Sequence, residues 1–260
     1  MLLFFLVSLL ASIVGAICGI GGGVVIKPVL DMFHLETVVT ISFLSSCTVL
    51  SMSCYSVGRS MLAGERRVSM DTGTPLALGA AAGGLIGQKL FSTLRAMFEN
   101  PNMAGSVQAV FLAIVTAGTL LYTVNKSKVR THRVKNPLFC ALIGLALGCV
   151  SSFLGIGGGP INLVVLYYFF SMDTKTAAAN SLYIILFSQL ASLLFVLAGN
   201  SVPPFRWPVL GLMVAGGIGG GILGRALNKR MDNRAVEKLF IALMAVIILI
   251  SIYNAWRYAL

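Results

Sequence analysis

Two glycine clusters carry the residues best suited to chemistry in this chain. Gly19-Ile20-Gly21-Gly22-Gly23 and Gly155-Ile156-Gly157-Gly158-Gly159 each place four glycines in five positions, in the middle of apolar stretches. Glycine removes the Cβ that would hold a ligand off the backbone and permits positive φ. A helical segment is expected to begin just after each cluster, and Pro160, directly after the second, suits a first helical turn. The first N–H groups of such a segment have no intrahelical acceptor, and its dipole end is positive. Together these make an anion site that needs no charged side chain. Tight packing of helices through small residues is the competing use of glycine. It accounts for Gly79, Gly83, Gly84, Gly216 and Gly217 better than for two matched breaks.

Several side chains could join such a site. Ser42, Ser45, Ser46, Ser53 and Ser56 share one arc of about 100° on a helix of ~3.6 residues per turn. A shift of 136 residues carries Ser45 onto Ser181 and Ser56 onto Ser192, with Thr176, Asn180 and Tyr183 on another shared face. These groups either line an anion path or bond across helices. Lys27, four residues after Gly23, is a deep cation beside a helix start, although its long stem could also snorkel to the interface. The expected substrate-binding set is Gly21, Gly22, Gly23, Lys27, Ser45, Ser46, Gly157, Gly158, Gly159, Asn162, Asn180 and Ser181.

Other chemistry is poorly represented. The acids Asp31, Glu36, Glu65, Asp71, Glu99, Asp173, Asp232 and Glu237, and both His34 and His132, fall near loops or span ends. A proton relay usually needs a buried carboxylate or histidine, so the expectation is an anion moving alone or weakly coupled, driven outward by an inside-negative potential. There is no HExxH, GxSxG or P-loop pattern, and no metal-spaced His/Cys set. An enzyme, a metal and a cofactor are therefore not expected. Cys18, Cys47, Cys54, Cys140 and Cys149 form no CxxC pair and read as small apolar packing residues. Cys18 beside the first cluster and Cys149 shortly before the second keep cysteine-assisted uptake of sulfur compounds as an alternative, and a non-transporting membrane scaffold is another.

The elements that position these residues are membrane helices. Of 260 residues, 57% are hydrophobic and 10% charged, with mean hydropathy +0.92. Soluble domains carry about 25% charged residues, so this chain lacks the polar surface to cover a core in water. Nineteen Lys+Arg against eight Asp+Glu leave a net charge of +11. Cationic loops of membrane proteins explain that excess; nucleic acid is not expected, because no basic stripe is interleaved with stacking aromatics. The first sixteen residues lack the charged region of a signal peptide, and their continuation recurs later in the chain.

Apolar stretches fall near 2–18, 24–33, 38–62, 73–94, 105–124, 137–154, 160–171, 175–198, 207–227 and 235–256. The clusters repeat at an offset of 136, and Gly83-Gly84-Leu85-Ile86-Gly87 matches Gly220-Gly221-Ile222-Leu223-Gly224 at 137. This order points to an internal duplication, with a first membrane repeat at 1–124, a basic connecting loop at 125–136 expected in the cytoplasm, and a second repeat at 137–260. Each repeat would hold a glycine-broken unit and three transmembrane helices. Residues 137–172 in one helix would run about 54 Å, beyond the ~30 Å hydrocarbon core, so the unit must bend or break, either as a tilted broken helix that crosses once or as a re-entrant hairpin that dips in and returns. If each unit is a re-entrant hairpin, only Lys27, Lys89, Arg95, Arg206 and Arg257 lie on one side and the other fourteen cations lie opposite. The positive-inside rule favours that arrangement. Three crossings per half then invert the halves, a recurring transporter architecture, with both termini outside. The expected fold is an all-α polytopic membrane protein of two inverted repeats.

The stretch Gly19 to Leu30, read as Gly-Ile-Gly-Gly-Gly-x4-Pro-x-Leu with Pro28, resembles the glycine motif of the sulfite exporter TauE/SafE family. Gly155–Pro160 resembles the matching motif of that family's second half. The resemblance covers nearly the whole chain. It implies an inner-membrane permease for small anions such as sulfite, organosulfonates or related sulfur oxyanions, with the lipid bilayer and the small anion as partners and a homo-oligomer admitted. The chain departs from the pattern at Lys27, where an apolar residue is more usual, at Val164, which stands where Pro28 does in the first copy, and at Asn162.

Overall fold

The computed structural model describes residues 1–33, 35–64, 68–98 and 101–259. Ten α-helices account for most of them: α1 (Leu2–Cys18), α2 (Gly23–Met32), α3 (Val38–Leu62), α4 (Met70–Ala96), α5 (Pro101–Asn125), α6 (Pro137–Phe153), α7 (Pro160–Phe170), α8 (Thr174–Ala198), α9 (Trp207–Arg230) and α10 (Asn233–Ala259). No strand occurs among the described residues. Local chemistry sets the ends. Thr37 Oγ1 accepts from the Thr40 N–H before α3, and Asn136 Oδ1 accepts from Leu138 before α6, where Pro137 opens the first turn. Asp173 caps α8 through the N–H groups of Lys175 and Thr176.

Among the described residues, five segments are long and apolar enough to cross a membrane: Val38–Leu62, Met103–Asn125, Thr174–Ala198, Trp207–Arg230 and Asn233–Tyr258. The stretch at 73–94, expected to span as well, forms the 27-residue α4. It is long enough but less apolar, because much of its length is glycine packed on protein rather than side chain offered to lipid. Large apolar side chains face outward: Leu10, Leu121 and Leu249 are 60%, 66% and 69% exposed. Ser8, Ser12, Ser45, Thr48, Thr116, Ser181 and Asn180 are meanwhile fully enclosed. Polar residues inside and leucines outside is the pattern lipid imposes.

The helices pack across the chain more than along it. α4 lies along α6, α1 along α9 and α5 along α10, with α3 and α8 in contact and each also touching α9 and α4 respectively. Small residues let the backbones meet. A Cβ on Gly83 would collide with the Leu145 carbonyl oxygen, and one on Gly220 would sit 2.6 Å from the Leu9 carbonyl oxygen. Phe4 and Ala11 of α1 share a buried cluster with Ile26 and Leu30 of α2, bringing the end of α2 beside the start of α1. At the other short helix, the N–H groups of His132 and Val134 donate to the Tyr168 and Phe169 carbonyls (2.7 and 2.9 Å), so the end of α7 lies beside the segment that leads into α6. Asn228 Nδ2 donates to the Ile17 carbonyl (2.7 Å), locking the end of α1 to the end of α9.

Three outcomes follow for stability. Gly83→Ala is expected to lower the melting temperature in detergent, at an overpacking cost of about 1–3 kcal/mol. Gly118→Ala, on an exposed face with nothing within 4 Å, should be neutral or slightly stabilising. Burial pushes the Asp173 carboxyl up, but the hydrogen bonds it accepts from Thr176, Lys175 and Asn233 outweigh this and hold it below its ordinary value of 3.8. Its contribution is therefore complete above that value and is lost as pH falls through the lowered one. Asp173→Ala should cost about 1 kcal/mol at neutral pH, and thermal melts should show the difference from wild type vanishing in acid.

Candidate functional site

Both glycine clusters interrupt a helix in the same way. α1 ends where Gly19 turns to φ +75°, with its N–H on the Gly15 carbonyl, and Gly21 follows at φ +76°. After α6, Gly155 and Gly157 take φ +63° and +72°. L side chains rarely adopt this region, so the alternation of glycine in the motif is a backbone requirement. Neither α2 nor α7 has a side-chain cap at its start, which leaves the first N–H groups of both without a local side-chain acceptor.

The two breaks meet. A Cβ on Gly23 would collide with the Ile156 carbonyl oxygen, and one on Gly158 would sit 2.9 Å from the Ile20 carbonyl oxygen and strike the Ile185 side chain. Val49 packs against both Gly21 and Gly157. Ile20, Val49, Ile156 and Ile185 are each at most 1% exposed and close the centre with apolar side chains. Around this plug stand buried polar atoms with no hydrogen-bond partner: Ser45 Oγ beside Gly23, Ser12 Oγ beside Gly22, Ser42 Oγ beside Gly155 and Gln189 Oε1 beside Gly157.

A cleft reaches toward the plug from each end of the helix bundle. One, with an empty volume of about 560 Å³, is lined by Ser42, Ser46, Gln88, Ser152, Gln189 and Ser192 and by Gly155, and its rim includes Ser201 and Pro203. The other, about 590 Å³, is lined by Ser56, Ser60, Lys175, Arg225, Asn228 and Lys229, with Val68 at its rim. α3 serves both: Ser46 and Ser56 are about 15 Å apart along it, with Val49 between them. The first cleft is uncharged, its hydroxyls and amides set among apolar side chains such as Phe43, Phe91 and Leu193; the second is cationic. Arg225 also donates to the Ser56 and Arg59 carbonyls at 3.0 and 3.3 Å, holding the end of α3.

Of the residues expected from sequence, Gly21, Gly22, Gly23, Gly157, Gly158 and Ser45 come together at the meeting of the breaks, with Gly159 capping α7. Ser46 lines the uncharged cleft. Asn162 Nδ2 donates to Ser181 Oγ at 3.3 Å, joining α7 to α8 in the interior. Asn180 points elsewhere: its Nδ2 donates to the Thr176 carbonyl at 2.9 Å and its Oδ1 lies against Gly73 of α4. Lys27 is not a free cation. Its Nζ donates to Asp31 Oδ2 at 2.7 Å, both side chains are 5% exposed, and its Cε passes 3.3 Å from the Cβ position of Gly155. Asp31 thus differs from the expectation that no acid is buried, because α2 stops short and its last turn stays under α10. Its spacing of four from Lys27 was the available signal. Gln189 and Ser12 were also missed; nothing in their local sequence marks them. Cys18 sits in an apolar cluster with Ile17, Ile20 and Val24, and no group of three or more metal-ligating side chains occurs among the described residues.

Residues 4–251 match the profile of the family described as sulfite exporter TauE/SafE. The chain is 27% identical over 256 residues to the probable membrane transporter protein YunE of Bacillus subtilis, covering 88% of this chain and 89% of that one. It is 26% identical over 278 residues to the probable membrane transporter protein MamO of Magnetospirillum gryphiswaldense, covering 93% of this chain but 43% of that longer protein. No solved structure matches.

The two clefts predict a pattern of thiol labelling. With the five native cysteines replaced, Ser46→Cys should react with a membrane-impermeant maleimide from one side of the membrane and Ser60→Cys from the other. Ser45→Cys, fully buried one residue from Ser46, should react from neither. Labelling of both accessible positions from the same side in oriented vesicles would contradict this geometry.

Proposed function

The chain belongs to the sulfite exporter TauE/SafE family of multi-pass membrane transporters, and on that premise we propose that it is a permease for small anions, with sulfite, organosulfonates and related sulfur oxyanions as its substrate class. The observation that carries the proposal is the pair of uncapped helix starts at two facing glycine breaks, with the unpartnered, fully buried Ser45 Oγ beside one of them. N–H groups and hydroxyls offered without a counter-charge suit an oxyanion. Gly21, Gly22, Gly23, Gly157, Gly158 and Gly159 supply the close backbone approach. Ser45 and Ser46 supply hydroxyls, and the Asn162–Ser181 pair supports the second break.

The proposed architecture is two repeats, 1–124 and 137–260, joined by the basic loop 125–136 and inverted relative to each other. Each glycine-broken unit is a re-entrant hairpin. Supporting this are the side-by-side ends of α1 and α2 and of α6 and α7. The packing pairs support it too, since α1 on α9 corresponds to α6 on α4 under the 136-residue shift, and Ile20 and Val49 of the plug correspond to Ile156 and Ile185. On the positive-inside rule, the cationic cleft of Lys175, Arg225 and Lys229 faces the cytoplasm of a bacterial cell and concentrates anions there. The uncharged cleft faces outward, and anions pass when the apolar plug between them parts.

Purified protein in liposomes should carry sulfite or a small sulfonate in preference to sulfate, thiosulfate and acetate. Ser45→Ala should raise the half-saturating concentration about tenfold, the cost of one hydrogen bond to a charged group, without lowering the melting temperature. Gly158→Leu, which drives a side chain into Ile185, should abolish flux. Absence of flux for every anion with folded protein would reject the permease reading.

A further inference from the structure

The first hairpin carries a buried ion pair that the anion site does not require. Lys27 and Asp31 lie one helical turn apart on α2, in contact at 2.7 Å and closed off from solvent. The positions 136 residues on are Leu163 and Tyr167, and α7 forms its helix without any such pair. The pair is thus not what holds a hairpin of this kind together. Buried pairs contribute little net stability, and ionisable groups at membrane depth mark pathways.

The pair lies between the uncharged cleft and a second, narrower space. Lys27 Cε lies 3.3 Å from the Cβ position of Gly155, where Ser42 Oγ also converges at 2.8 Å, and both Ser42 and Gly155 line the uncharged cleft. The Lys27 stem thus lies behind the wall of that cleft, with Nζ turned onto Asp31. Away from that cleft, Lys27 and Asp31 both border a narrow crevice lined also by Gln108, Ser251 and Asn254 from α5 and α10. Gln108 Nε2 donates to the Phe153 carbonyl and Asn254 Nδ2 to the Pro28 carbonyl, at 2.6 and 2.8 Å, so both amides are fixed. Their Oε1 and Oδ1 atoms, with Ser251 Oγ, are buried acceptors without partners. A row of such acceptors beside a carboxylate suits water or a proton donor entering the crevice.

We propose, resting on the anion-permease reading, that the Lys27–Asp31 pair couples anion movement to a proton. In the empty protein the ammonium and carboxylate neutralise each other. An anion arriving at the cleft past Gly155 takes over the ammonium, and the released carboxylate accepts one proton through the crevice. Lys27 ammonium, substrate monoanion and neutral Asp31 carboxylic acid again sum to zero charge. On release the anion leaves, the Asp31 proton leaves with it, and the pair re-forms. Each monoanion thus crosses with one proton in the same direction and without net charge. Lys27 and Tyr258 are the ionisable groups that face Asp31 among the described residues, Tyr258 of α10 donating a hydrogen bond to it. α5 offers Gln108 and the second break offers Leu154, neither ionisable; His34 lies outside the described residues.

The test uses the full chain in liposomes, with methanesulfonate as the anion because it stays charged across the working pH range, and a trapped pH dye with the membrane potential clamped. Wild type should acidify the lumen by one proton for each methanesulfonate taken up, at a rate independent of the clamped potential. Asp31→Asn should keep methanesulfonate-for-methanesulfonate exchange, in which only the loaded form moves. Its net uptake should no longer acidify the lumen and should become sensitive to potential, because the empty form now carries the Lys27 charge. Uptake by wild type without acidification overturns the coupling alone, and this holds even where Asp31→Asn does not fold. Uptake that needs sodium and leaves luminal pH unchanged assigns the crevice to a cation and also overturns it. Acidification that survives in Asp31→Asn places the proton elsewhere. No uptake of any sulfonate by folded wild type overturns the permease reading and the coupling with it.

Discussion

A helix that breaks inside a bilayer must find partners for the backbone groups it releases, because hydrocarbon offers none. This chain breaks two helices and turns the breaks toward each other, inside the protein rather than against lipid. The Ile20 and Ile156 carbonyls lie against glycines of the opposite break, and the apolar side chains of Val49 and Ile185 seal what remains. Much else serves that meeting. α1 and α6 must be carried close to α9 and α4, which is why those partners present glycines at the contact. α3 and α8 must run past the breaks, which is why both carry small hydroxyls there.

Water-soluble domains keep serine outside and few leucines there; this chain buries serines and turns many leucines outward. Fully buried Ser12, Ser45 and Ser181 sit within a shell of exposed leucines. Without a hydrophobic drive between helices in lipid, cohesion comes from close backbone packing and interhelical hydrogen bonds. Ser152 to Ser192 at 2.8 Å, Gln108 to the Phe153 carbonyl and Asn254 to the Pro28 carbonyl are such bonds. Buried hydroxyls left unpaired at the breaks are an expense in this setting, one that the proposed anion would offset.

The two glycine-broken units share the same positive-φ turns but carry different charges around them. The cleft built with Ser42, Ser46 and Gln189 holds no charged side chain, whereas the one built with Lys175, Arg225 and Lys229 is cationic. Likewise α2 holds Lys27 and Asp31, and α7 holds Leu163 and Tyr167 in their places. Charge placed beside one break only can give the two sides of a membrane different roles.

The sequence by itself determined the membrane setting, the helices, and the position of both breaks. These depend on hydrophobic runs, helix periodicity and glycine at positive φ, all of which act within a few residues of chain. The cap chemistry of Thr37, Asn136 and Asp173 was local in the same sense. Tertiary structure decided what touches what across more than a hundred residues: Gly23 against the Ile156 carbonyl, Gln189 beside Gly157, and Asn180 turned to α4 rather than to the breaks. Lys27 shows both limits. Its depth was legible, and its partner four residues on could have been read from helix geometry. That Asp31 stays buried depended on α10 lying over the last turn of α2, a lateral packing that no periodicity in α2 encodes.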